Sequence, residues 1–171
     1  MKKLVLFVLV AVALTVTPVV ADAAKIGVVD LQKALNLSKA GKSAKTRITE
    51  KVKEFEVKIE KQQTELKKLK EELEKQAVLL SPEARTAKER DYQQKLKDFQ
   101  RYTKDRQEEL QQLDGQYTNQ IVEKLLDMAQ EMAKKDGFEI LLERVSGGVI
   151  YSADAIDLTD KLIKASDAAA K

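Results

Sequence analysis

Apolar residues in the middle of the chain recur with a single rhythm. Seam positions fall at Ile48, Val52, Phe55, Ile59, Gln62, Leu66, Leu69, Leu73, Gln76 and Leu80, in alternating steps of four and three. That alternation is the 3.5-residue period of a coiled coil, so it predicts a long helix with one narrow apolar stripe. Ser81-Pro82 breaks it. Proline disfavours helical geometry in the residue before it, whereas Ser81 can cap a new helix and Pro82 can open it. The rhythm resumes at Tyr92, Leu96, Phe99, Thr103, Arg106, Leu110, Leu113 and Tyr117. It predicts a second helix that runs to Gly137, a C-terminal stop preceded by Lys134 and Lys135.

The two stripes explain each other if the chain folds back at Ser81-Pro82. Leu73 then faces Tyr92, Leu69 faces Leu96 and Leu66 faces Phe99; Phe55 faces Leu110, Val52 faces Leu113 and Ile48 faces Tyr117. Gln62 meets Thr103, and Ile59 meets Arg106, so a polar layer of Gln62, Thr103 and Arg106 interrupts the arm halfway along. Such a layer either fixes the register of the two helices or makes a soft joint. Arg106 is long enough to carry its charge out to water.

Past Tyr117 the pattern widens. Ile121, Val122, Leu125, Leu126, Met128, Ala129, Met132 and Ala133 cover more of the helix than one partner can bury, and the steps to Ile121 and Leu125 break the rhythm. This end is expected to plug into a body. Residues 25–30 are a short β-branched run and predict a strand, and residues 31–35 turn helical. Residues 37–42, with Ser38 and Gly41, make a joint. Beyond the arm, residues 138–145 predict a strand, Ser146-Gly147-Gly148 a turn, and residues 149–152 the returning strand of a hairpin. Asp157 caps a last helix from Leu158 to about Ser166, with Leu158, Leu162 and Ile163 buried.

The expected fold class is therefore mainly α with a small β body: a long antiparallel helical hairpin projecting from it. Residues 24–37 and 137–171 form the body and residues 38–136 the arm, with its tip at 78–84. Counting the strand at 25–30, the hairpin at 138–153 and the helix at 157–166, the structured part of the body numbers about 32 residues, fewer than the roughly 40 below which a lone domain is hard to hold together. Completion by further copies of the chain is expected, through Ile26, Val28, Ile140, Leu142, Val149 and Tyr151.

The first residues add a compartment. A positive start, Met1-Lys2-Lys3, precedes an uncharged apolar run from Leu4 to Val16, then Pro18 and the small-x-small site Ala21-Asp22-Ala23. This predicts a signal peptide over 1–23, cleaved before Ala24, and export to the periplasm. The run is short for a membrane span of roughly 20 residues.

Charge and chemistry narrow the function. Of 171 residues, 31 are Lys or Arg and 28 are Asp or Glu, giving a net charge of +3 with no histidine and no cysteine. So even a balance does not suit nucleic-acid binding. There is no glycine-rich phosphate loop, no Cys or His nucleophile set and no clustered carboxylates, so neither an enzyme nor a cofactor or metal site is expected. Residues 50–75 interleave eight Lys with eight Glu, and pairs at helical spacing let a lone arm stand in water. Residues 39–53 are locally basic, which reads as a solvated face or as a weak attraction for acidic chains or anionic lipid. At the tip, Val78, Leu79 and Leu80 are expected to fold onto Ala84 and Ala87. Alternatively the tip is greasy and exposed, and grips an unfolded client through Val78, Leu79, Arg85, Lys88 and Arg90.

The order of parts carries a resemblance. An apolar leader, Lys25-Ile26-Gly27-Val28-Val29-Asp30, a charged helical hairpin, Lys135-Asp136-Gly137-Phe138-Glu139-Ile140-Leu141-Leu142, Ser146-Gly147-Gly148-Val149-Ile150-Tyr151 and the block from Ala155 to Ile163 follow one another. Over nearly all of the chain from Ala24 this resembles the Skp/OmpH family of periplasmic chaperones. The resemblance implies a homotrimer with a small β body and three helical arms, enclosing unfolded outer-membrane β-barrel proteins without ATP. The arms here are close to neutral, a departure from the strongly basic arms of the best-known members. Two other readings of the same pattern are a structural coiled-coil spacer in the envelope and an envelope adaptor.

Overall fold

The computed structural model describes residues 24–76 and 79–169; the signal-peptide expectation and Val78 lie outside the described residues. In chain order the elements are β1 (Ile26–Val29), α1 (Leu31–Leu37), α2 (Lys39–Gln76), α3 (Pro82–Lys135), β2 (Ile140–Glu143), a single 3-10 turn (Asp154–Ile156) and α4 (Thr159–Ala169). At a rise of 1.5 Å per residue, the 54 residues of α3 extend about 80 Å. Helices α2 and α3 form the arm, and the last turns of α3 enter the body.

The ends of these helices follow from their caps. Ser81 accepts a hydrogen bond from the Ala84 N–H at 3.3 Å, and Pro82 stands at the first position of α3. At the other end Gly137 adopts φ +71, a conformation that L residues rarely take. The Phe138 N–H then donates to the Ala133 carbonyl at 2.9 Å, and that of Gly137 to Lys134 at 3.3 Å, closing the helix with a Schellman motif. Between α1 and α2 the chain leaves helical geometry only at Ser38, which is fully buried. Its Oγ accepts from the Gly41 N–H at 3.2 Å, so Ser38 caps α2. The joint is thus one residue, shorter than the sequence predicts.

The body core joins the inner face of β1 to α1, the root of α3 and α4. Val29, Leu31, Ala34, Leu125, Ala129, Leu158 and Leu162 are buried in it, with Phe138 and Leu141 packed against them. The wide apolar end of α3 therefore plugs into the body as its pattern predicts. It also supplies core that a count of body residues leaves out. Asp30 accepts from the Lys33 N–H at 2.7 Å and starts α1, and its own N–H donates to the buried Thr159 Oγ1 at 2.9 Å. Asp157 Oδ1 accepts from the Thr159 N–H at 2.9 Å, so the last helix begins at Thr159 under the predicted cap.

The predicted β-hairpin does not form. Strands β1 and β2 pair with each other, in parallel, with Ile26 opposite Ile140 and Val28 opposite Leu142. A parallel pair needs a long crossover, and here the whole arm is that crossover. Beyond β2 the chain makes a helical turn rather than a hairpin turn. The Gly147 N–H donates to the Glu143 carbonyl at 2.9 Å, and the Val149 N–H donates to Arg144 at 3.1 Å after Gly148 takes φ +66. The Glu143 carboxylate binds the Ser146 N–H and hydroxyl and locks that turn. Residues 149–153 pair with no strand in the single chain.

Candidate functional site

The candidate site is a set of surfaces. The first lies on the sheet. Side chains alternate across a strand, so Ile26 and Val28 of β1 share a face with Ile140 and Leu142 of β2. Val28 is sealed at 2% exposure, yet Ile26, Ile140 and Leu142 stay 38%, 45% and 38% exposed. In the segment that follows, Val149 is half-buried while Ile150 and Tyr151 are exposed. Four of the six predicted body residues thus come together on one apolar face, and Val149 and Tyr151 lie beyond it in an extended segment.

Arg144 braces that segment. Its guanidinium donates to Ser152 Oγ at 2.9 Å and to Asp157 Oδ2 at 2.7 Å. Partial burial raises the Asp157 pKa, but the bonds from Thr159 and the charge of Arg144 outweigh it and hold the carboxyl below the ordinary aspartate range. Glu143 behaves likewise: burial pushes it up, and hydrogen bonds from Ser146, Val145 and Leu31 carry it below the usual glutamate range. Sequence reasoning missed Glu143, Arg144 and Ser152 because nothing in their spacing signals that a turn, a loop and a helix cap converge.

The arm is the second surface. Cross-arm contacts follow the predicted alignment to within about one helical turn: Leu66 and Phe99 line one cavity of about 180 Å³ with Gln62, and Ile48 borders a groove with Leu113 and Tyr117. Only Phe55 and Leu66 are buried along α2. Arg106 keeps its side chain 31% exposed while packing across the arm. Its Cζ lies 5.2 Å from the centroid of Phe55 and 5.3 Å from that of Tyr102, so the cation rests against two aromatic rings. Glu109 pairs with it, while Arg106 Nε and Gln62 Oε1 are buried without a hydrogen-bond partner. Thr103 donates from Oγ1 to the Phe99 carbonyl at 2.9 Å, within its own helix.

At the tip Leu79 is 84% exposed and so does not fold onto Ala84 and Ala87. The basic collar is largely neutralised. Arg85 pairs with Glu89 at 2.8 Å, and Lys88 lies 3.9 Å from Glu72 and donates to Gln76 Oε1 at 2.6 Å, while Arg90 is exposed and unpaired among the described residues. Among those residues no group of His, Cys, Asp or Glu is arranged to hold a metal ion, and no helix is long and apolar enough to cross a membrane.

A two-helix arm rooted in a parallel two-stranded body can now be set beside known proteins. The profile of the family described as "Outer membrane protein (OmpH-like)" matches residues 25–165. The chain belongs to the OmpH-like family. Its fold is also similar to a crystal structure from Caulobacter crescentus CB15 of a candidate outer membrane chaperone (OmpH-like), at 20% identity and a TM-score of 0.80, covering 85% of each chain. At that identity the likeness speaks for the OmpH-like fold. No curated protein matches the chain.

Proposed function

We propose that this protein is a periplasmic holdase chaperone. It works as an oligomer, most simply the trimer implied by its resemblance to the Skp/OmpH family, and shelters unfolded outer-membrane β-barrel proteins between its arms without nucleotide. The observation that carries the reading is the pairing of a long, water-tolerant arm with an apolar body face that one chain leaves open. Joining copies through Ile26, Ile140 and Leu142 sets several arms around a common space. Each arm buries only a thin seam and presents interleaved charges outward.

Physical need supports the rest. An unfolded β-barrel protein in water exposes strand edges that pair with other copies and aggregate. Enclosure by arms lowers that encounter. Many weak contacts hold a client, and it sheds them when it folds, so release requires no energy source. The test is direct: dilute a urea-unfolded outer-membrane protein into buffer with the chain from Ala24 onward. Light scattering should stay low at near-stoichiometric chaperone. A spacer or adaptor without holding activity would leave the scattering unchanged.

A further inference from the structure

We propose that the cleft at the root of the arm seats a short extended segment of an unfolded polypeptide, an inference that rests on the holdase reading above. The cleft opens between the last turn of α1 and the two arm helices and holds about 630 Å³, within the range of small-ligand sites. Two local features create it. The steps from Tyr117 to Ile121 to Leu125 break the seam, so α2 and α3 stop meshing there. Gly41 brings the start of α2 against the Leu35 carbonyl, where a Cβ would stand only 1.7 Å from the oxygen.

The lining has two characters. Leu35, Ile48 and Ile121 offer apolar surface, while Lys45, Asp114 and Tyr117 offer a cation, an anion and a hydroxyl. Neither Lys45 nor Asp114 is in an ion pair among the described residues. With one cation and one anion, the lining has no net positive charge of the kind that an anionic lipid surface or a nucleic acid requires. A polypeptide backbone carries donors and acceptors in equal number and answers both charges. A barrel strand also alternates apolar with polar side chains, so its apolar side can rest on the aliphatic surface while its polar side faces water.

The chain has no cysteine, so Lys45→Cys gives one labelling position for an environment-sensitive fluorophore. Adding a urea-unfolded β-barrel protein should shift the emission to the blue, saturating over the client concentrations at which the unlabelled chain suppresses aggregation. Ala44→Trp, which narrows the cleft, should weaken binding about tenfold with helicity unchanged, the loss expected when one or two apolar contacts are forfeited. Suppressed aggregation without an emission shift overturns the seat alone. So does a shift produced by self-assembly before client is added, which would mean that a second copy fills the cleft. If the unlabelled chain suppresses no aggregation, the holdase reading falls and the seat with it. Should Ala44→Trp fail to fold, the label at position 45 still decides.

Discussion

Gly41 shows how one small residue fixes the joint between body and arm. A methyl group there would collide with the Leu35 carbonyl, and neither backbone can easily give way. Gly41→Ala should cost at least about 3 kcal/mol, at the upper end of overpacking penalties, and would be seen as a lowered midpoint in urea unfolding. Two carboxylates near the end of β2 and the start of α4 make a second claim. Asp157 and Glu143 both have lowered pKa values in the folded chain. Their contribution is therefore present above the unfolded pKa values, near 4, and is lost as pH falls through the lower folded values. Stability should hold from neutral pH to about 5 and then decline below about 4. Asp157→Asn should lower stability at pH 7 and flatten part of that acid limb. An unchanged slope between pH 5 and pH 3 would mean that the bonds to Asp157 from Thr159 and Arg144 contribute nothing.

The arm was legible from its spacing because a two-helix seam leaves a periodic trace: both helices and their fold-back at Pro82 stand where the stripes put them. The body was less legible. Val149 to Ser152 has the composition of a strand, and Ser146-Gly147-Gly148 that of a tight turn, yet β2 pairs with β1 across more than a hundred residues. No local pattern announces such a pairing, and the Glu143 side chain settles the turn through contacts that sequence spacing does not show. The aromatic neighbours of Arg106 were not legible either, because they become visible only when the helices are set side by side. A layer with two unpartnered buried atoms is a weak point. We expect it to serve as the soft joint of the arm. Replacing Gln62, Thr103 and Arg106 together with Leu should raise the melting temperature and reduce capacity for the largest clients. Hydrogen exchange in the unaltered arm is the check: amides at 59–66 should exchange faster than those near Ile48. At the tip, Leu79→Ser should leave stability unchanged, since the side chain is already in water. A loss of client holding in that variant would identify the tip as a grip.

For the molecule as a whole, the apolar sheet face and the length of the arm belong to one design. A single arm cannot surround anything, and a single body leaves Ile26, Ile140 and Leu142 in water. Assembly resolves both, so holding should depend on it. Ile140→Asp with Leu142→Asp places two charges on the shared face and should yield a monomer by light scattering. Because α1, α4 and the root of α3 complete much of the core within one chain, that monomer should retain its helical arm. The decisive measurement compares the unaltered chain with this double variant, at equal chain concentration, in suppressing aggregation of a urea-unfolded β-barrel protein. The unaltered chain should assemble and keep the client soluble, and the monomer should fail while still helical. Equal protection by the monomer, or none by a properly assembled unaltered chain, would contradict the proposal that arms gathered by the body shelter the client.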